Sequence, residues 1–525
     1  MAYSGVPVVD AHIQAARRTT LKTQRQRGVP TGIVERGIVA QPYNACVDLL
    51  DAHRSDRPAV MTRDRAVTYG ELSDSVQRVA GGLAGLGVQP EQRVAMVMLD
   101  SIEFYEVFLA ALRIGAVPVP LNPLLPGRDL GAIVANSRAR VLVVSAGLNV
   151  QVEAPEIETV ARASELLAAD PYASPYATWD ESPGIWLCTS GSTGAPKLAM
   201  HRHIDLRASY ETYGAQVLGI GPDDRCYSVG PMFHAYGLGN SLTFPFSVGA
   251  TAVVEPTRPP TPALVGSIMR SFQPTLFFCI PTFYAVLLAS DLPDDTFASV
   301  RYAVSAAESL PADIFTRFRD RFGVEILDGI GSTEMTHIFI SNRPGDIRPG
   351  TSGKPVPGYD VALVDEVGSE VAADMPGHLM VGGASMATGY WCASPSTRAT
   401  FCGSQMRTGD MYVRSADGYY TYLGRSDDMF RVGGEWVSPA EVEALLITHA
   451  AVLEAAVVGE RDAVGVMRAV AFVVPAAGGV LDPAELEVLC KTELAGYKRP
   501  SRYEVLDQLP KTATGKIQRF KLRPA

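Results

Sequence analysis

Ile185-Trp186-Leu187-Cys188-Thr189-Ser190-Gly191-Ser192-Thr193-Gly194-Ala195-Pro196-Lys197 is the stretch on which the architecture turns. Its first four residues form a short apolar run that reads as a buried strand. The run then breaks into hydroxyls interleaved with glycines. Glycine lets backbone approach phosphate oxygens closely, while the Thr and Ser side chains and the nearby lysine supply donors. The segment therefore reads as a phosphate cradle at the end of a strand, with Thr189, Ser190, Gly191, Ser192, Thr193, Gly194 and Lys197 as candidate nucleotide-binding residues. Its spacing is not the G-x-x-x-x-G-K-[ST] of P-loop NTPases, which argues against a GTPase or ordinary kinase. The plainer alternative is a Gly/Ser surface loop.

The chain on either side alternates buried strands with amphipathic helices. Thr68 and Glu71 form a capping-box signal, after which Leu72, Val76, Val79, Leu83 and Leu86 recur at helical spacing until Gly87. Val94 to Leu99 reads as a strand, and Ile102 to about Ile114 as a helix ending at Gly115. Further strand-like runs fall at 141–146, 185–188, 251–254, 276–280, 301–304 and 324–327. Such alternation predicts an α/β body with largely parallel sheets. The composition changes after Gly424. There Ser438-Pro439-Ala440-Glu441 supplies an N-cap, a first-turn proline and a capping-box acid. Strands at 454–458 and 469–474 and a helix at about 483–495 complete a second, smaller α/β unit.

A chain of 525 residues is too long for one core, so a large body plus at least one smaller unit is expected. With 47% hydrophobic and 19% charged residues it has the balance of a globular enzyme. A net charge of -10 gives no electrostatic reason to bind nucleic acid or an anionic membrane. No apolar run approaches the ~18 residues needed for a membrane span. The seven cysteines lie mostly in apolar runs without a C-x-x-C pair, which predicts buried thiols in a reducing compartment and a cytoplasmic protein. Arg17, Arg18, Lys22, Arg25 and Arg27 superficially resemble a targeting segment, but residues 1–40 read more simply as a solvated, disordered arm. His201 and His203 lack an acid or cysteine cluster to complete a metal site and are read as structural.

Three further segments extend the pattern: Ala235-Tyr236-Gly237-Leu238-Gly239-Asn240, Asp328-Gly329-Ile330-Gly331-Ser332-Thr333-Glu334-Met335, and Leu509-Pro510-Lys511-Thr512-Ala513-Thr514-Gly515-Lys516-Ile517. With the cradle, and in this order, they resemble the superfamily of acyl-CoA synthetases, adenylation domains and beetle luciferases, most nearly the benzoate and hydroxybenzoate CoA ligases. The resemblance covers residue 41 to the end. It implies a large body of stacked α/β sheets over 41–424, a hinge at 425–428 turning at Asp427, and a small mobile lid over 429–525. The active site would lie between body and lid.

The same resemblance implies roles. Glu334 would hold Mg2+ and Thr333 would bond the α-phosphate of ATP. Asp410 would bind the ribose with Arg425 as its partner, since a carboxylate accepts from both ribose hydroxyls. Ala307, Glu308, Asp328, Gly329 and Ile330 would meet the nucleotide, Ile330 standing where many members carry a tyrosine. Lys516 would be a mobile catalytic lysine, its ammonium stabilising charge in the first half-reaction. His234 sits in the gating motif, where many benzoate-type ligases have an aromatic. Ala235, Tyr236, Gly237, Ile330, Gly331 and His337 would line a flat acyl slot, Gly237 and Gly331 leaving room along it. His337 would be either wall or partner of a ring hydroxyl or amine. Gly433 and Gly434 would border the channel for coenzyme A. The implied activity is ATP-dependent activation of an aromatic carboxylic acid and transfer to CoA. A carrier protein as acceptor and a catalytically silent nucleotide-binding homologue remain as alternatives.

Overall fold

The computed structural model describes residues 41–148, 152–153, 157, 159–189, 196–433, 435–462, 465–476, 481–511 and 517–523. The arm 1–40, the cradle residues Ser190, Gly191, Ser192, Thr193 and Gly194, and Gly434 and Lys516 lie outside the described residues.

Two parallel sheets organise the body. The smaller runs Val117–Leu121, Arg93–Val97, Val141–Val144, Val160–Arg162, parallel throughout. The larger has nine strands, and its six consecutive parallel members are Ile326–Gly331, Tyr302–Ser305, Leu276–Cys279, Arg225–Ser228, Thr251–Val253 and Pro58–Met61. Helices Tyr69–Gly85 and Ile102–Arg113 share one core with strands of both sheets. The first helix starts as its sequence dictates, with Thr68 and Glu71 making both bonds of a capping box. The second is buried on nearly every side, Glu103 alone being less than buried. Its last residue, Arg113, is a buried cation satisfied by Asp51 at 2.6 Å and by the Tyr172 carbonyl at 2.9 Å.

The expectation of largely parallel sheets holds for these two sheets but not for the rest of the body. Tyr359–Val364, Pro376–Gly383, Phe401–Cys402, Gln405–Arg414 and Tyr420–Arg425 form an antiparallel sheet. A second antiparallel group joins Pro183–Thr189, Lys197–Arg202 and Gly389–Tyr390. The strands over 359–425 have one face half solvated and so lack continuous apolar runs, whereas Pro183–Thr189 carries such a run and yet pairs antiparallel.

The C-terminal unit has its own core around Val457, Ala471, Val473, Leu446 and Leu486. Val452–Arg461 and Met467–Pro475 pair antiparallel, and Pro500–Val505 adds in parallel. Helix Pro439–Ile447 is capped by Ser438 Oγ, which accepts from Glu441 N at 3.1 Å. The predicted reciprocal bond is not made. Glu441 instead accepts from Lys498 Nζ at 2.7 Å. The thiols also depart from expectation: Cys46, Cys226, Cys279 and Cys490 are buried, but Cys392 and Cys402 are exposed, and all seven are free. No described helix is long and apolar enough to cross a membrane.

Candidate active site

Parallel strands end where the sequence turns polar, and their ends meet in one cavity of about 520 Å³. Thr189 and Lys197 are register partners of the antiparallel pair Pro183–Thr189 and Lys197–Arg202, and both line the cavity. Ala307 and Glu308 follow the strand Tyr302–Ser305, and Gly329, Ile330 and Gly331 end the neighbouring strand. Thr333 and Glu334 lie in the short helical turn Thr333–Met335. From the antiparallel sheet come Asp410 and Arg425, register partners joined by a 2.9 Å ion pair. Arg425 also donates to the Thr408 carbonyl at 2.9 Å. Gly409 makes this close approach possible, because a Cβ there would lie 2.6 Å from the Arg425 guanidinium. Asp427 reaches the same cavity.

Ala307 and Glu308 line the cavity as expected, whereas Asp328 does not. Ala307 takes a left-handed φ of 75°, a conformation costing roughly 1–3 kcal/mol and concentrated at functional sites. The Glu308 carboxylate accepts from Thr282 N at 3.1 Å and Thr282 Oγ1 at 2.6 Å, tying down the start of helix Pro281–Leu288. Asp328 is not among the cavity-lining residues. It is buried behind Gly329 with Oδ1 unpartnered among the described residues, and burial pushes its carboxyl up to about 8.

A second cluster adjoins the cavity at Gly331. Tyr236 is locked by its hydroxyl, which donates to Val304 O at 3.0 Å and Cys279 O at 3.2 Å. Its ring faces His337 at 5.4 Å, and Tyr213 stacks on the same imidazole at 5.4 Å. His337 Nε2 meets Asn240 Oδ1 at 3.0 Å, while Nδ1 has no partner among the described residues. Burial lowers His337 to about 3 and His234 to about 4, so both rings are neutral near pH 7. The expected spacer role of the two glycines does not hold. A Cβ at Gly237 would sit 2.2 Å from Pro231 O, and one at Gly331 would sit 2.5 Å from His337 O. They are glycines because backbone packs against backbone. Gly433, at φ 61°, turns the hairpin between Phe430–Val432 and Glu435–Val437 and does not line the cavity.

A family model described as AMP-binding enzyme matches residues 50–391, and one described as AMP-binding enzyme C-terminal domain matches residues 441–516. The chain belongs to the AMP-binding enzyme family. A benzoate–CoA ligase of Thauera aromatica is 45% identical over 512 residues, covering 93% of this chain and 97% of that protein. A solved benzoate CoA ligase from Burkholderia xenovorans is 42% identical with a TM-score of 0.86, covering 92% of this chain and all of that one. An anthranilate CoA ligase solved with anthranoyl-AMP is 38% identical with a TM-score of 0.88, covering 92% of this chain and 97% of that one.

In this AMP-binding enzyme several residues around the site escaped the sequence reading. Tyr390, Tyr412, Tyr422, Ser352 and Thr408 line the cavity. Asn240 holds His337, and it is delivered by a π-helical turn over Gly239–Thr243. His201 has a structural task close to the chemistry: Nε2 donates to the Thr333 carbonyl at 2.9 Å, and Nδ1 lies 3.3 Å from Asp205. His203 accepts from Ala45 N at 3.1 Å, tying the start of the body to this hairpin. The signal for the cavity-lining tyrosines was weak, because isolated tyrosines on antiparallel strands carry no spacing rule.

Proposed function

We propose that this enzyme activates a benzoate-sized aromatic carboxylic acid with ATP and passes the acyl group to coenzyme A. The observation that carries this proposal is one cavity with Lys197, Glu334 and the Asp410–Arg425 pair on its walls, and behind its Gly331 edge a buried, neutral cluster of Tyr236, Tyr213 and His337 that packs together and does not itself line the cavity. The first part suits a nucleotide. The second suits an uncharged ring, since both histidines stay neutral and the faces are aromatic. The near full-length likeness to benzoate and anthranilate CoA ligases supports the same acid class and the adenylate intermediate.

The substrate carboxylate is already ionised near neutral pH, so attack on the α-phosphorus needs charge stabilisation more than a base. Its oxygen bonds to the α-phosphorus as the bond to pyrophosphate breaks. Thr333, with Lys516 from the lid, stabilises the charge that develops there. Asp410 accepts from the ribose hydroxyls while Arg425 fixes its orientation. Glu334 fits a divalent cation of the Mg2+ type. One of its oxygens is unpartnered among the described residues, and such ions take one or two carboxylates together with substrate phosphates. When bound, Mg2+ neutralises the phosphate charge. In the second half-reaction the thiol of coenzyme A gives up its proton and its sulfur bonds to the acyl carbon, and AMP leaves. Two occupants of one cleft require the lid, 429–525, to turn about Asp427, withdrawing Lys516 and bringing in the Gly433–Gly434 loop. Seven free thiols fit a cytoplasmic setting.

Exchange of labelled pyrophosphate into ATP, with CoA omitted, tests the first half directly. Exchange is expected with benzoate-class acids and none without acid. Failure with every acid would establish a silent nucleotide-binding homologue instead.

A further inference from the structure

Glu334 is held from one short segment of chain. Gly389–Tyr390 is a two-residue strand pairing with Lys197–Arg202, which puts Tyr390 opposite Ala199. Just before it, Ala387 N donates to Glu334 O at 2.8 Å, and Ser385 Oγ donates to Met335 O at 2.8 Å. Tyr390 then reaches the side chain: its hydroxyl donates to Glu334 Oε1 at 2.6 Å. A short O–H···O bond to a carboxylate is about twice as strong as a neutral one. The ring is fixed as well, with Lys197 Nζ 5.2 Å from its centroid and the Phe401 ring in an edge-to-face arrangement, centroid to centroid 5.4 Å. Among the described residues, Glu334 Oε2 accepts no hydrogen bond.

We propose that Tyr390 is a positioning residue that occupies Oε1 of Glu334 and so presents Oε2 to the divalent cation carried by the nucleotide phosphates. The inference rests on the metal-binding reading of Glu334 given above. It also explains why an aromatic hydroxyl, and not only an apolar ring, sits between the cradle lysine and the acid. Without that donor the carboxylate is free to rotate, and the geometry the cation needs is no longer set in advance.

Calorimetry of ATP binding with and without Mg2+ tests this on the wild type, Tyr390→Phe, Glu334→Gln and the double variant. Phenylalanine keeps the ring and its packing. Tyr390→Phe is expected to weaken Mg-ATP binding about ten-fold, the scale of one lost hydrogen bond to a charged group. Metal-free ATP binding should stay within about two-fold, and the substitution should add nothing on top of Glu334→Gln if it acts through that residue. Equal weakening with and without Mg2+, or an additive loss in the double variant, would overturn the inference while leaving Glu334 as the metal residue. Wild-type Mg-ATP binding by Glu334→Gln would overturn the metal reading and this inference together.

Discussion

Replacing Lys516 with alanine is expected to slow adenylation by on the order of 10²-fold or more, the usual consequence of removing one preorganised charge from a site where charge develops. Thioester formation from a supplied aryl-adenylate should be nearly unchanged if, as proposed, the lysine serves only the first half-reaction. The flanks of its segment are anchored by described residues. Lys511 bridges Ile517 and pairs with Glu454 at 2.6 Å, and Arg519 grips Glu443 through a 2.7 Å bond. Substitution at 516 should therefore leave the lid folded. Single-turnover measurement of each half-reaction separates the outcomes, and equal losses in both would contradict a lysine used once.

Proline at position 427 is expected to uncouple the two half-reactions by trapping one lid orientation, because a turning hinge must change dihedrals that proline fixes. Proline there removes no backbone hydrogen bond of Asp427 N among the described residues, but it stands third in the turn that closes on Arg425 O, where it restricts Ser426. Ser426 N and Asp428 N donate to Gly409 O and Arg425 O, whereas Asp427 contributes a carbonyl that accepts from Arg523 at 3.1 Å. The same arginine holds Asp428 at 3.1 Å, so Arg523 ties the C-terminal tail to residues 427–428. Either adenylation or thioester formation should survive in Asp427→Pro, with CoA-dependent turnover largely lost. Normal turnover would remove the hinge assignment.

What could be read from the sequence follows from which physical signals are periodic. The helix Tyr69–Gly85 was announced by a capping box and a regular apolar stripe, and the strands at 93–97, 141–144 and 276–279 by uninterrupted burial. Val117–Leu121 was hidden by Pro118 and Pro120. It is the edge strand of its sheet, where a missing donor is tolerated. The antiparallel sheet over 359–425 was hidden because its strands are half exposed and broken by glycine. At the site, the motifs located Thr333, Glu334, Asp410 and Arg425, all of which converge on one cavity. They did not reveal Tyr390 or Asn240, whose importance arises only from which group each happens to face, nor that His201, read as structural, bonds the Thr333 carbonyl. The motifs also suggested that Gly237 and Gly331 open the acyl slot, when each in fact admits a neighbouring backbone.

The central claim is tested most directly by specificity constants for AMP release across benzoate, hydroxy- and aminobenzoates, and medium- and long-chain aliphatic acids, each with and without CoA. The account predicts the highest kcat/KM for a benzoate-class acid, multiple turnover only when CoA is present, and a penalty of roughly 1–3 kcal/mol for each methylene the slot cannot accommodate. A preference for medium or long aliphatic acids, or turnover indifferent to CoA, would contradict it.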